Sequence, residues 1–186
     1  SDIRSRINLI DGDMQTFTLA QRFPLIIVTY RTFMHLLTQA AQEKALNNIR
    51  KHLTPDGRLI FNIFDPRHDI IAKEEHKSGH RPPAKKLGKF LHPATGQQVI
   101  LWRKRICFPE TQIIYLTSIY ETNNNQTNDQ PKVSKTRSHL ALRYTFRWEM
   151  ELLLKLCEYR VETLYGDFRR GPYRYGSEQI WTVTPS

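Results

Sequence analysis

Two continuous apolar runs, residues 23–30 (FPLIIVTY) and 57–64 (GRLIFNIF), constrain this chain more than any other feature. Strands that alternate apolar and polar residues have one wet face, whereas unbroken apolar runs belong to parallel strands covered on both faces. Between the two runs Ala41, Ala45, Leu46, Ile49 and Leu53 recur at helical spacing, and Thr38 stands where a helix cap is expected. The pattern is a strand at 25–29, a helix running to His52 and a strand at 58–64. That is one parallel crossover unit, and such units are right-handed almost without exception. In the turn at 54–57 (TPDG), Pro55 sets φ and Gly57 takes the left-handed position.

A shorter apolar piece at 7–11, followed by Gly12-Asp13, reads as a further strand upstream. Ligands of open parallel sheets sit at the carboxyl ends of the strands. Asp13, Thr29, Tyr30, Arg31 and Asp65 therefore fall where chemistry is expected. No Gly-rich loop precedes them in these 186 residues.

Beyond Pro66 the chain is charged and irregular to His92, and then the period changes to two. Residues 98–108, 111–121 and 138–145 read as an antiparallel meander with a turn at Pro109-Glu110. The polar run at 123–130 reads as a long exposed hairpin loop. Residues 147–157 form a helix with Met150, Leu153, Leu154 and Cys157 on one face, and strands at 159–165 and 179–184 close the chain. The expectation is one domain over 1–186. Its α/β core lies at 1–66 and 146–186, and 67–145 is an antiparallel β insert.

Composition narrows the function classes. Hydrophobic residues at 39% and charged residues at 25% suit a globular protein. No apolar run reaches the ~20 residues that span a bilayer, so no membrane partner is expected and the compartment read is the cytoplasm. Cys107 and Cys157 lie far apart within apolar patterns, as buried reduced thiols do. Much of the net charge of +10 lies at 73–105. Such a stripe is a nucleic-acid footprint, a solvated loop or a lid that attracts an anionic substrate. The aromatic spacing of an RNA-stacking platform is absent from it. His76 and His80 lack an adjoining metal-binding pattern, neither cysteine has a partner at ligand spacing, and no metal is expected. There is no Gly-x-Ser-x-Gly elbow of a serine hydrolase.

Four segments in this order, LIDGDM at 9–14, YRTFMHLL at 30–37, HLTPDGRLIF at 52–61 and WEMELLL at 148–154 running on to YGDF at 165–168, resemble the class I S-adenosylmethionine-dependent methyltransferases. The likeness is nearest to small-molecule N- and O-methyltransferases that carry an antiparallel insert. It covers nearly the whole chain and implies a Rossmann-like methyltransferase sheet, truncated at its N-terminus because the Gly-rich first strand and the ribose-binding second strand have no counterpart. The resemblance implies S-adenosyl-L-methionine as cofactor, with Asp13 and Met14 at the adenine and Thr29, Tyr30 and Arg31 at the methionine end.

Methyl transfer from a sulfonium needs alignment and exclusion of water more than acid–base help, but an amine acceptor must be neutral. Tyr30, His35 and Tyr165 are the candidate catalytic groups, and Arg31, Tyr120, Tyr144 and Asp167 the candidate contacts to a small-molecule acceptor. Against these roles, His35 also suits a helix start or the surface, while Tyr120 and Tyr144 also suit meander packing. An Arg directly after a buried strand needs a partner, so Arg31 either clamps a ligand carboxylate or pairs with Asp65 or Asp167. An edge left open by missing strands favours a homodimer. A non-catalytic protein that keeps the fold, and an RNA methyltransferase that uses the basic region, are the alternatives.

Overall fold

The computed structural model describes residues 3–75, 82–124 and 132–186. In chain order the elements are β1 (Phe23–Val28), α1 (Gln39–Lys51), β2 (Leu53–Phe64), α2 (His68–Glu74), β3 (Lys85–Leu91), β4 (Gln98–Phe108), β5 (Ile113–Asn124), β6 (Lys132–Arg143), α3 (Arg147–Leu156), β7 (Tyr159–Tyr165) and β8 (Glu178–Pro185). They fall into two compact units, one of Ser1–Ile63 with Phe146–Ser186 and the other of Phe64–Thr145.

The first unit holds a sheet in the order β1-β2-β8-β7, with β1 and β2 parallel and β7 and β8 antiparallel. The expected crossover is present. Thr38 is extended and its Oγ1 accepts the amide of Ala41 at 3.1 Å, which starts α1 where the cap residue stands. Ala45, Leu46 and Ile49 are buried on the stripe that the 3.6-residue period marks. Tyr159 of β7 donates its hydroxyl to the carbonyl of Leu46 at 3.0 Å, which ties the last hairpin to α1. Burial raises that phenol's pKa. Met150 and Leu154 of α3 and Cys157 at its C-terminal cap are buried, and the Glu149 carboxylate accepts the Phe146 amide at 3.3 Å to close the helix's first turn.

Two expectations for this unit are corrected. Residues 7–11 form no strand, and Leu9 is 90% exposed. A strand exists only through a partner's hydrogen bonds, and no described strand pairs with this segment. The residues from Met14 to Leu19 are anchored instead by side chains of α1 and its cap. The Asn48 amide donates to the carbonyls of Met14 (3.3 Å) and Phe17 (3.0 Å). His52 holds the same stretch through Nε2, which accepts the Leu19 amide at 3.1 Å, while Nδ1 donates to Asn48 O of α1 at 2.8 Å, so a single tautomer serves both bonds.

The second correction concerns Gly57, which does not have a positive φ. Residues 54–57 bulge out of β2, since Phe23 faces Leu53 while Leu25 already faces Arg58. A Cβ at Gly57 would lie 2.9 Å from the carbonyl oxygen of Phe23 and 3.0 Å from the backbone of Thr54. Glycine is required there by close approach of two backbones, not by handedness.

The second unit is an antiparallel meander in the order β3-β4-β5-β6. Its core includes Ile71, Val99, Cys107, Ile113, Ile114, Leu142 and Tyr144. The turn expected at Pro109-Glu110 is present, with Gln112 left-handed at φ 57°. The stretch read as irregular between 65 and 92 contains α2 and β3. A seven-residue helix is too short to show a period, and β3 (KKLGKFL) is exposed at every position. Lysines are what an edge strand carries to block further pairing, and they hide it from a hydropathy reading. β6 begins six residues ahead of the strand expected at 138. Asn123 and Asn124 belong to β5, and the rest of the polar run read as a loop lies outside the described residues.

Candidate functional site

The chain leaves β1 at Val28 and turns at once. Tyr30 (φ 58°) and Arg31 (φ 62°) are consecutive left-handed residues, neither of them glycine. That conformation costs an L-residue about 1–2 kcal/mol, and such strain persists only where surrounding contacts over-determine it. Here they do. Thr32 donates its amide (3.1 Å) and hydroxyl (2.6 Å) to Thr29 O, and the Met34 amide donates to Arg31 O at 3.0 Å. A 3-10 turn over Thr32–His35 then sends Phe33 and Met34 into the core, where Phe33 lies 5.1 Å from the ring of Phe61.

Asn62 of β2 completes the clamp. Its side chain is buried and works in two directions. Oδ1 accepts the backbone amide of Arg31 at 3.3 Å, and Nδ2 donates to Glu178 Oε2 at 3.0 Å. Glu178, the first residue of β8, forms an ion pair with the Arg31 guanidinium, whose Nε also lies 3.4 Å from Oε2. The carboxylate side chain is 17% exposed and the guanidinium side chain 48%. These groups line a cavity of about 530 Å³ with Thr29, Tyr30 and Phe168. Tyr30 is 95% exposed and Phe168 75%, so two aromatic side chains stand out at the rim. The cavity thus offers one fixed cation, one fixed anion and aromatic faces, a set suited to a small ligand that carries charges of both signs.

Phe168 also lines a neighbouring cavity of about 400 Å³ with Tyr165 and Asp167. Asp167 Oδ1 accepts the amides of Arg169 (2.7 Å) and Gly171 (2.9 Å). These amides, Gly171's first, hold its carboxyl below the usual carboxylate range. A Cβ at Gly171 would run into that carboxylate, so the glycine is what lets the loop close on it.

Of the residues marked from the sequence, Thr29, Tyr30 and Arg31 come together in the first cavity and Tyr165 with Asp167 in the second. Arg31 is paired, as one reading of it required, and Glu178 is an acid that reading did not name. Asp13 and Met14 line neither cavity. Asp13 is exposed in a turn, its Oδ1 accepting the Gln15 amide at 2.7 Å, and Met14 is half-buried. His35 is exposed at the end of the 3-10 turn. Tyr120 and Tyr144 belong to the other unit, Tyr120 opposite Leu101 and Thr136 in the meander and Tyr144 buried. Sequence reasoning missed Asn62, Glu178 and Phe168. Asn62 carried a signal, as the one polar side chain inside the run LIFNIF. Glu178 carried none, because its partners lie 116 and 147 residues away. Among the described residues no group of three or more His, Cys, Asp or Glu is placed to hold a metal, and His76 and His80 lie outside them.

A strand–helix–strand crossover whose strand ends form the cavity, interrupted by an antiparallel insert, is the Rossmann-like fold of the class I S-adenosylmethionine-dependent methyltransferases, and this chain has that fold. The chain is similar to an S-adenosylmethionine-dependent methyltransferase from Clostridium acetobutylicum, with TM-score 0.73 and 11% identity, covering 99% of this chain and 68% of that one. It is similar to DesVI from Streptomyces venezuelae, with TM-score 0.66, 16% identity and coverage of 99% and 69%. It is also similar to CalS10, an amino pentose methyltransferase from Micromonospora echinaspora, with TM-score 0.63, 15% identity and coverage of 94% and 63%. The chain thus spans about two thirds of the length of these proteins. No family model and no curated protein matches its sequence. Among the described residues no helix is long and apolar enough to cross a membrane.

Proposed function

We propose that this protein takes part in S-adenosylmethionine-dependent methyl transfer to a nitrogen or oxygen of a small molecule, at the cavity beyond β1. The observation that carries this reading is the strained Tyr30-Arg31 turn. It is held by Asn62 and Glu178 at a carboxyl end of the parallel pair, in a chain with the methyltransferase fold. Bound S-adenosylmethionine would supply a methyl group made electrophilic by its sulfonium.

The donor set suits the amino-acid end of that cofactor. Arg31 would face its carboxylate, and Glu178, oriented by Asn62, its ammonium. Asp13 and Met14 would take the adenine, one accepting from the amino group and the other packing on the ring. Tyr30 and Phe168 would cover the reacting atoms and exclude water. Tyr30 Oη would accept a hydrogen bond from the acceptor's N–H or O–H and so orient it, with His35 and Tyr165 as the other groups able to do so. Asp167, beside Tyr165 in the neighbouring cavity, would contact the acceptor.

A sugar N-methyltransferase and an amino pentose methyltransferase among the similar structures support an amine acceptor. A homodimer is supported by the open side of β1, which among the described strands pairs with β2 alone and exposes Leu25 and Ile27. Titration of the chain with S-adenosylmethionine and its demethylated product, followed by thermal unfolding, tests the reading. Binding at ~100 times Kd adds about 2.7 kcal/mol, a shift of several degrees. Absence of any shift at millimolar ligand would refute it for this chain.

A further inference from the structure

We infer that the meander unit carries a second ligand site, for a phosphoryl group on a small organic molecule, at the cavity where α2, β3 and β4 meet. None of its residues lines the cavity beyond β1, and it does not depend on methyl transfer there.

The register at this corner is costly as it stands. Lys85 of β3 pairs directly with Arg103 of β4, and like charges opposite one another across a sheet repel. Arg105, two residues on, projects from the same face as Arg103. Lys73 of α2 joins them around a cavity of about 280 Å³. Among the described residues the only carboxylate lining it is Glu74, and it is shared: Arg105 Nη1 lies 3.1 Å from Oε2 and Lys85 Nζ 3.5 Å from Oε1. Four cations against one carboxylate leave an excess of three positive charges.

Arg103 is the sharpest member. It is half-buried, and among the described residues its Nε, shut off from solvent, donates to no acceptor and its guanidinium has no ion pair. A bound oxyanion would supply the counter-ion that this guanidinium lacks among the described residues. Residues 76–81 (HKSGHR), which lie outside the described residues, contain no Asp or Glu. An excess of three matches a phosphate dianion better than a carboxylate. Pro82, Pro83 and Leu87 complete the wall and give the ester group of an organic phosphate an apolar surface.

The test is calorimetric titration of the full chain with phenyl phosphate and with inorganic phosphate at constant ionic strength, repeated on Arg103→Gln and Glu74→Gln. Saturable one-site binding is expected, tighter for the ester than for free phosphate. Arg103→Gln should weaken it about tenfold or more, the loss of one charge-assisted hydrogen bond. Glu74→Gln, which removes the competing carboxylate, should tighten it, and that gain can be read even where Arg103→Gln disturbs folding. No saturation at millimolar phosphate, or equal affinity in wild type and Arg103→Gln, would overturn the site. So would steeply salt-dependent binding of a single-stranded oligonucleotide that phenyl phosphate does not displace.

Discussion

Asn62→Leu should loosen the Tyr30-Arg31 turn and the Glu178 carboxylate together, because one buried amide holds both. The bond from Nδ2 to Glu178 is 3.0 Å long and charge-assisted, worth about 1.5–3 kcal/mol. The bond from the Arg31 amide to Oδ1, at 3.3 Å, is long and neutral, worth about 0.5–1 kcal/mol. Glu178 keeps its ion pair with Arg31 and some access to water, and leucine fills nearly the same volume, so no cavity is added. Two left-handed residues also gain freedom to relax. The net loss expected is about 2 kcal/mol, or roughly 4–8 °C in Tm for a chain of this size. Urea unfolding should show a lower midpoint at unchanged slope. Hydrogen exchange adds a local readout, since the Arg31 amide loses the acceptor that protects it. A change below about 0.5 kcal/mol with the Arg31 amide still protected would refute the clamp.

Gly57→Ala should cost about 1–3 kcal/mol, read by the same unfolding assay, because its Cβ meets backbone oxygen at 2.9 Å. Burial pushes the thiols of Cys107 and Cys157 up to about 11, so neither should react with Ellman's reagent at pH 8 in the folded chain, and both should in denaturant. The Asp167 carboxyl is depressed when folded. Its hold on the 166–171 loop is therefore complete above the unfolded value of about 3.9 and is lost as pH falls through the lower folded value. A carbon NMR titration should place its midpoint below that reference, and a midpoint above it would refute the assignment of the two amide bonds.

What was legible in the chain was local. Thr38, the stripe from Ala45 to Ile49 and the apolar runs each announce their element within a few residues, and α1, β1 and β2 stand where those signals lie. Arg31 was legible as a residue in need of a partner because its strand reads as buried, although β1 leaves Leu25 and Ile27 exposed and is not covered on both faces. Its partner was not, because pairing with Glu178 is a property of the folded sheet. The apolar piece at 7–11 misled for a related reason: hydropathy records the capacity to form a strand, whereas a strand also needs a neighbour to pair with. β3 was hidden by the lysines that protect its edge, and Gly57 was placed in the wrong mechanism because a sequence does not show how closely Phe23 approaches.

The most direct test of the proposed cofactor site is amide and side-chain NMR of the chain titrated with S-adenosylhomocysteine. Saturable shifts are expected, concentrated at Thr29, Tyr30, Arg31, Asn62 and Glu178 and abolished by Arg31→Gln together with Glu178→Gln. Shifts at other positions that leave these five unmoved, or none at millimolar ligand, would contradict a cofactor site beyond β1.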